Sequence, residues 1–167
     1  RKWPDLIRGS DTPSTVDDLK LGAEKPALPY ADMRLLHVLN HTLWYLPRVN
    51  SCYAMRNLLR EPQNTFFQDY TVNVCAGPEA GVGEVALDRV RESMKDPLHS
   101  RTITLTCGKL TTGVTVKPLF GIFMLTNMKS PETYFQAAFR VQSPWTPTND
   151  VRETDTVKNG CDSFDFA

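Results

Sequence analysis

Short apolar runs, rich in β-branched residues, alternate along this chain with amphipathic stretches long enough for about three helical turns. Each run suits a strand that is buried on both faces, and each amphipathic stretch suits a helix that covers one face of a sheet. The predicted strands are Thr42–Leu46, Tyr70–Ala76, Arg101–Thr106, Phe120–Leu125 and Cys161–Phe166. The predicted helices are Ala31–Leu39, a helix capped at Asn50 and Ser51 that runs to Arg60, Glu84–Met94, and Pro131–Val141 with Ser130 as its cap. This alternation requires crossover connections, so the sequence predicts an α/β fold of three layers in which helices flank a mostly parallel sheet.

Length and composition indicate one folded domain preceded by a less regular segment. With 167 residues, of which 41% are hydrophobic, the chain can build one substantial core. Residues 1–29 contain four prolines and no sustained hydrophobic period, which predicts a linker or an extended arm. The folded domain is expected to be 30–167. Because the chain begins without a methionine and stops inside an apolar run, we expect it to be a fragment of a longer protein.

The charge and cysteine counts restrict the possible functions only weakly. Nineteen basic and nineteen acidic residues cancel, so the net charge neither indicates nor excludes binding to nucleic acid. The four cysteines are widely spaced, without a Cys-x-x-Cys pair or a cysteine–histidine cluster, which predicts reduced thiols, no metal site and a cytoplasmic protein. No apolar run approaches the roughly 20 residues of a membrane-spanning helix, so no membrane segment is expected.

The loop after the third predicted strand has the composition of a phosphate-contacting segment. From Cys107 to Val116 it reads CGKLTTGVTV. Its glycines permit close backbone approach, Lys109 offers a cation, and three threonines offer hydroxyls: Thr111, Thr112 and Thr115. In parallel sheets ligands gather at the carboxyl ends of the strands, which is where this loop begins. The loop lacks the leading glycine of a Walker A motif, and an ordinary turn-rich connection is the alternative interpretation.

The last predicted helix places Gln136 and Arg140 four residues apart, so their side chains share one face. Such a pair near the carboxyl ends of the strands is able to hold a polyphosphate; the alternative is a surface arginine whose stem packs on the protein. The histidines have no serine or cysteine in a nucleophile-elbow context, so no hydrolase triad is predicted. His41, directly before a buried strand, is expected to be a structural residue held by hydrogen bonds. The residues thus indicate no self-contained active site.

Three stretches, in this order, resemble the second RecA-like domain of superfamily 2 helicases of the DEAD/DEAH type. Thr42–Leu59 resembles the strand and helix of motif IV, Ile103–Val116 resembles motif V, and Gln136–Gln142 resembles motif VI, commonly written Q-x-x-G-R-x-x-R. The strings LTTGVTV and SPETYFQAAFRVQSPW are similar to helicase proteins of restriction–modification and mobile-element systems. The resemblance covers residues 40–167 and implies a three-layer RecA-like domain.

The resemblance also implies an ATP-driven motor for DNA whose active site is shared between two domains. ATP and Mg²⁺ would be bound mainly by a preceding motor domain of the same protein, which carries the Walker A motif, so the isolated chain is expected not to hydrolyse ATP. Arg140 would act as an arginine finger on the γ-phosphate with Gln136 in support, and Gly113 and Thr115 would lie beside the nucleotide. A methyltransferase or nuclease subunit is a further expected partner. The residues implied in nucleic-acid contact are Lys109, Thr111 and Thr112.

This sequence departs from the family pattern at three positions. Phe139 replaces the glycine and Ser143 the second arginine of motif VI, and Thr115 replaces an aspartate of motif V. The departures at Phe139 and Ser143 favour a second hypothesis, a degenerate helicase fold kept as an interaction or scaffold domain without an ATPase role. A third hypothesis, a stand-alone nucleotide- or metabolite-binding α/β module, requires a glycine-rich loop after the first strand, where this chain has the residues Leu46-Pro47-Arg48-Val49.

Overall fold

The computed structural model describes residues 30, 39–77, 84–108, 116, 118–128, 130–143 and 161–165, apart from the side chains of 84–86 and 140. The chain divides into two compact units, Arg1–Leu39 and Asn40–Ala167. In the first unit the structure describes Tyr30 and Leu39, so the predicted arm over 1–29 and most of the predicted helix Ala31–Leu39 lie outside the described residues. The fold is therefore defined by the second unit.

Within the described residues, the second unit contains a sheet of five parallel strands in the order β2-β3-β1-β4-β5. The strands are β1 (His41–Tyr45), β2 (Thr71–Cys75), β3 (Thr102–Thr106), β4 (Gly121–Met124) and β5 (Asp162–Asp165). Each begins and ends within one residue of its predicted bounds. The predicted α/β class with a parallel sheet flanked by helices is confirmed.

The helices are also close to prediction, with differences at their ends. The described helices are α1 (Val49–Leu59), α2 (Glu84–Ser93) and α3 (Pro131–Ala138), with 3-10 turns at Thr65–Phe67 and Phe139–Val141. The Ser130 cap is confirmed, since its hydroxyl accepts a hydrogen bond from the Thr133 amide at 3.4 Å. The predicted cap at Asn50 and Ser51 is wrong. The chain leaves β1 through Pro47 and turns into α1 at once, so both residues fall in the first helical turn.

The two faces of the sheet are covered by different elements. The connection from β1 to β2 crosses the sheet in the opposite direction to the later ones, and right-handed crossovers therefore place α1 on one face and α2 and α3 on the other. On the α2 and α3 face, Leu43 and Ile122 pack with Leu87 and Ala137 in one buried cluster. Alternate side chains point to the other face.

That other face is built around Trp44. Its ring lies 5.4 Å from the ring of Phe123 and 6.1 Å from that of Phe67, and Phe123 stacks in turn on Phe164 at 4.9 Å. The Trp44 indole donates a hydrogen bond of 3.0 Å to the Thr42 hydroxyl, so this large buried side chain leaves no unpaired polar atom. Aromatic packing thus joins β1, β4 and β5 on the face that α1 covers.

His41 is a structural residue, as predicted from its position before a buried strand. Its Nε2 lies 2.8 Å from the Pro97 carbonyl, an acceptor, so Nε2 carries the proton; Nδ1 then accepts from the Thr102 hydroxyl at 2.9 Å. Burial lowers the pKa of His41 from its usual value of 6.5, and the bond to Pro97 opposes that shift. The neutral imidazole is the form that the fold accommodates.

The first prediction concerns this histidine and pH. Since the folded pKa lies below the unfolded one, the His41 contribution to stability is complete above about pH 6.5 and is lost as pH falls toward the folded pKa. Urea unfolding at neutral and mildly acidic pH should show this loss in the wild type, and His41→Gln, which does not titrate, should show less of it. His99→Gln is the control, because His99 is exposed. An equal loss in His41→Gln would assign the pH dependence to other groups.

A second prediction concerns the threonines of β3. Thr106 donates its hydroxyl to the Cys75 carbonyl at 3.1 Å, whereas the buried hydroxyl of Thr104 has no hydrogen-bond partner among the described residues. Thr104→Val keeps the shape and removes the unpaired group, so it should stabilise the protein by about 1 kcal/mol and raise Tm by about 2–4 °C. Thr106→Val, the matched control, should lower Tm. Thermal unfolding that ranks both variants below the wild type would contradict this account.

Candidate functional site

The carboxyl ends of the parallel strands form one edge of the sheet, where ligands of such folds gather. Gly77 follows β2 and Gly108 follows β3 at this edge, and both have positive φ, 74° and 105°. Side chains other than hydrogen are strained in that region, which explains glycine at both positions. Gly77 turns the chain out of β2, and Gly108 lies in the loop after β3 for which phosphate contacts were predicted.

These two glycines differ in how closely they are packed. A Cβ on Gly77 would lie 2.8 Å from Cγ1 of Val49, the first residue of α1, whereas a Cβ on Gly108 would lie 3.5 Å from the Tyr45 hydroxyl, an ordinary contact. The start of α1 is therefore pressed against the end of β2. The early start of α1, which contradicted the predicted cap, is what brings Val49 to this position.

Thiols lie near the same edge, and burial makes them poor nucleophiles. Burial, followed by the charge of Cys107 and a hydrogen bond to it, raises the pKa of Cys52 to about 12. Burial raises the pKa of Cys75 to about 11, although Arg89 acts in the opposite direction. Both thiols are protonated at neutral pH, so neither is suited to attack a substrate. All four cysteines are free, as predicted.

The predicted phosphate loop itself lies beyond the described residues. Its chain is described as far as Gly108 and again at Val116. The roles of its residues therefore stay predictions. The residues concerned are Lys109, Thr111, Thr112, Gly113 and Thr115.

The helix expected to carry the nucleotide contacts is α3, directly after β4. Gln136 is exposed, and its Nε2 donates a hydrogen bond of 3.1 Å to Oε1 of Glu132, one turn earlier. Arg140 follows in the 3-10 turn, and its side chain lies outside the described residues. The predicted single helix Pro131–Val141 is corrected, because its last turn tightens after Ala138. Arg140 is therefore rotated relative to its position on a continuous α-helix.

An aromatic surface beside Gln136 was missed from the sequence. The side chains of Phe135 and Phe139 are 55% and 59% exposed, and their rings stack at 6.1 Å with an angle of 26°. Ala137 and Ala138 are the buried residues of this helix. The sequence contained evidence of this surface, because Phe135 and Phe139 are four residues apart and therefore share one face of the helix. The small alanines between them suit the close approach of a helix to a sheet.

Two further findings concern the described part of the chain. Within these ranges, no three histidine, cysteine, aspartate or glutamate side chains lie close enough together to hold a metal ion. Among the described helices, none has the length and hydropathy needed to span a bilayer.

A third prediction follows from the contact between Gly77 and Val49. Gly77→Ala places a side chain in the left-handed region and against Val49, so it should destabilise the protein by about 2 kcal/mol. In a Val49→Ala background the steric part is relieved, and the same substitution should be less destabilising by about 1 kcal/mol. Gly108→Ala is the control, with backbone strain but ordinary contacts. Additive effects in a double-mutant cycle measured by urea unfolding would show that the Val49 contact contributes nothing.

Comparison with known proteins gives one informative similarity. No protein-family model matches the chain. A protein of Mycoplasma pneumoniae (strain ATCC 29342 / M129), provisionally named as the C-terminus of a type II restriction enzyme and methyltransferase, is 30% identical over 128 residues. That match covers 75% of this chain and 17% of the relative, so the chain spans less than a fifth of that protein's length. The predicted link to restriction–modification proteins is thus supported, while the assignment to superfamily 2 helicases stays a prediction.

Proposed function

We propose that this chain is the second motor domain of a superfamily 2 helicase or translocase, which acts on DNA in the cytoplasm as part of a restriction–modification protein. The observation that carries the proposal is the position of α3. This helix directly follows β4 of a parallel sheet, exposes Gln136 and leads into Arg140, in the place where a motor domain has motif VI. The similarity to a protein named as a restriction enzyme and methyltransferase supports the biological setting.

In this proposal the nucleotide lies between two motor domains, and the preceding domain of the same protein binds most of it. ATP with Mg²⁺ supplies the phosphoryl group that is transferred to water. The exposed amide of Gln136 suits a phosphate contact, because Nε2 carries two hydrogens and Glu132 accepts one of them. The same bond to Glu132 holds the amide in place. Arg140, which is always charged, neutralises charge that develops during the transfer.

The remaining predicted residues divide between the nucleotide and the nucleic acid. Gly113 and Thr115 are proposed to lie beside the nucleotide. The contacts to nucleic acid are proposed to involve the phosphates of the DNA backbone. Such contacts do not depend on base sequence, as a motor that moves along DNA requires. A methyltransferase or nuclease part of the same system is the proposed partner for recognition and cleavage. The proposed nucleic-acid contacts are Lys109, Thr111 and Thr112.

The exposed aromatic surface favours a second candidate function. Phe139 stands where motif VI commonly has glycine, and with Phe135 it presents two large apolar rings beside the proposed finger. Exposed apolar surface of this kind commonly marks a contact with another protein or domain. A degenerate motor fold that serves as an interaction domain, without an ATPase role, would use α3 in that way.

The fourth prediction separates these two candidates. In the full-length protein that contains this chain, Arg140→Ala should reduce DNA-stimulated ATP hydrolysis by about 10³-fold or more, while ATP binding and folding are retained. Arg140→Lys should not restore activity, because a lysine lacks the planar fork of donors. Arg91→Ala is the matched control, since Arg91 lies on the surface of α2 beside Asp88.

The possible outcomes of that experiment are distinct. A loss confined to the Arg140 variants supports the motor proposal. Equal activity in wild type and Arg140→Ala would mean that Arg140 is not the finger. A full-length wild-type protein that hydrolyses no ATP with DNA or RNA present would overturn the motor proposal in favour of the interaction domain.

A further inference from the structure

A cavity of about 220 Å³ lies along β2, the strand at one end of the described sheet. Its walls come from three elements: α1, β2 and α2. Because α1 and α2 cover opposite faces of the sheet, a cavity that touches both must wrap around the side of β2 that pairs with no other described strand. The residues that matter for its chemistry are Tyr53, Arg56, Arg60, Val72, Val74 and Arg89.

The described part of the cavity wall is positively charged. Arg56, Arg60 and Arg89 line it, and no acidic side chain is among the described residues of its wall. The described pairs with carboxylates involve other basic side chains: Arg91, Lys95 and His99. Arg56 lies over the Tyr53 ring at 5.1 Å and reaches the neutral side chain of Asn57 at 3.4 Å. We call these three arginines, together with the side of β2 that faces away from β3, the arginine groove.

The backbone of β2 adds a second set of binding groups. The Thr71 amide donates to the Arg101 carbonyl at 2.8 Å, and the Cys75 carbonyl accepts from the Thr106 hydroxyl, so both residues face β3. Successive residues of a strand direct their N–H and C=O groups to opposite sides. Val72 and Val74 therefore direct theirs into the arginine groove, as an edge strand does.

We propose that the arginine groove binds an extended acidic segment of a partner protein, which adds a strand beside β2. The alternating N–H donors and C=O acceptors along β2 favour this occupant. A peptide backbone matches the N–H and C=O groups of Val72 and Val74 in turn, whereas a nucleic-acid backbone offers negatively charged acceptors that would face both carbonyl groups. The groove itself therefore selects a peptide over a phosphate chain.

The arginines specify the side chains of that segment. In an added strand, alternate side chains point to opposite faces of the sheet. One set meets Arg56 and Arg60 on the α1 face, and the next residue along meets Arg89 on the α2 face. A fitting segment therefore carries carboxylates at neighbouring positions, each able to accept charge-assisted hydrogen bonds from a guanidinium group. Neutral or basic strands gain no such bonds, and charged side chains at a sheet edge are a known protection against unwanted pairing.

This inference is independent of the proposed motor function. The arginine groove lies beside β2, while α3 connects β4 and β5 at the other end of the described strand order. Loss of one site need not affect the other.

The fifth prediction is a binding experiment with the full chain and a short fluorescent peptide of glutamate and threonine. Fluorescence anisotropy should detect binding, and the double variant Arg56→Glu with Arg89→Glu should weaken it by more than about tenfold. The double variant Arg91→Glu with Lys95→Glu makes the same change of net charge outside the groove and is the charge-matched control. A peptide with methylated backbone nitrogens keeps the carboxylates but lacks donors, so it should bind weakly. Circular dichroism confirms that each variant is folded.

Several outcomes would overturn the proposal. These are absence of peptide binding to the wild type, equal binding by the double variant and the wild type, and equal binding of the methylated peptide. Single-stranded DNA is the competing probe. If it binds more tightly than the peptide and loses affinity in the same double variant, the groove is a phosphate site and the peptide proposal is wrong.

Discussion

The hydrogen bonding of β1 to two neighbours is the interaction on which the described fold depends. This strand pairs with β3 on one side and with β4 on the other, and its flanking residues continue both ladders, since Leu46 donates to the Thr106 carbonyl and Leu125 to that of Tyr45. The polar side chains of a strand buried in this way have to find hydrogen-bond partners inside the protein. His41 does so through Thr102 and Pro97, and Trp44 does so through Thr42, so these side chains of β1 have their hydrogen-bond partners inside the protein.

The burial of the central strands explains why the sequence predicted them so well. An apolar β-branched run has few alternatives to a buried strand, and the faces of α2 followed the helical period, with Leu87, Val90 and Met94 buried as expected. The end of α3 was predicted less well, as was the start of α1. Capping residues compete with tertiary packing, and α1 begins at Val49, whose side chain lies against the end of β2.

The borders of the sheet were predicted less completely, for a physical reason. Composition pointed to the loop after β3 and to Gln136, because glycines, hydroxyls and amides are local signals. Strand order is not local: the sequence indicated a parallel sheet but not that β2 lies at one end. Arg56 and Arg89 belong to helices on opposite faces, so their convergence on β2 depends on that order. The exposure of Phe135 and Phe139 depends in the same way on which face of α3 meets the sheet.

The net charge of zero conceals local differences in charge that the structure shows. Along α2 and the turn after it, Asp88 pairs with Arg91, Glu92 with Lys95 and Asp96 with His99, each three residues apart. His99 accordingly holds the pKa of the Asp96 carboxyl below its usual range. In the Asp88–Arg91 and Glu92–Lys95 pairs the opposite charges cancel locally, and exposed pairs of this kind add little to stability. The arginines beside β2 take part in none of them, so a chain that is neutral in sum still presents a local cationic surface, and it is the local field that an acidic partner meets.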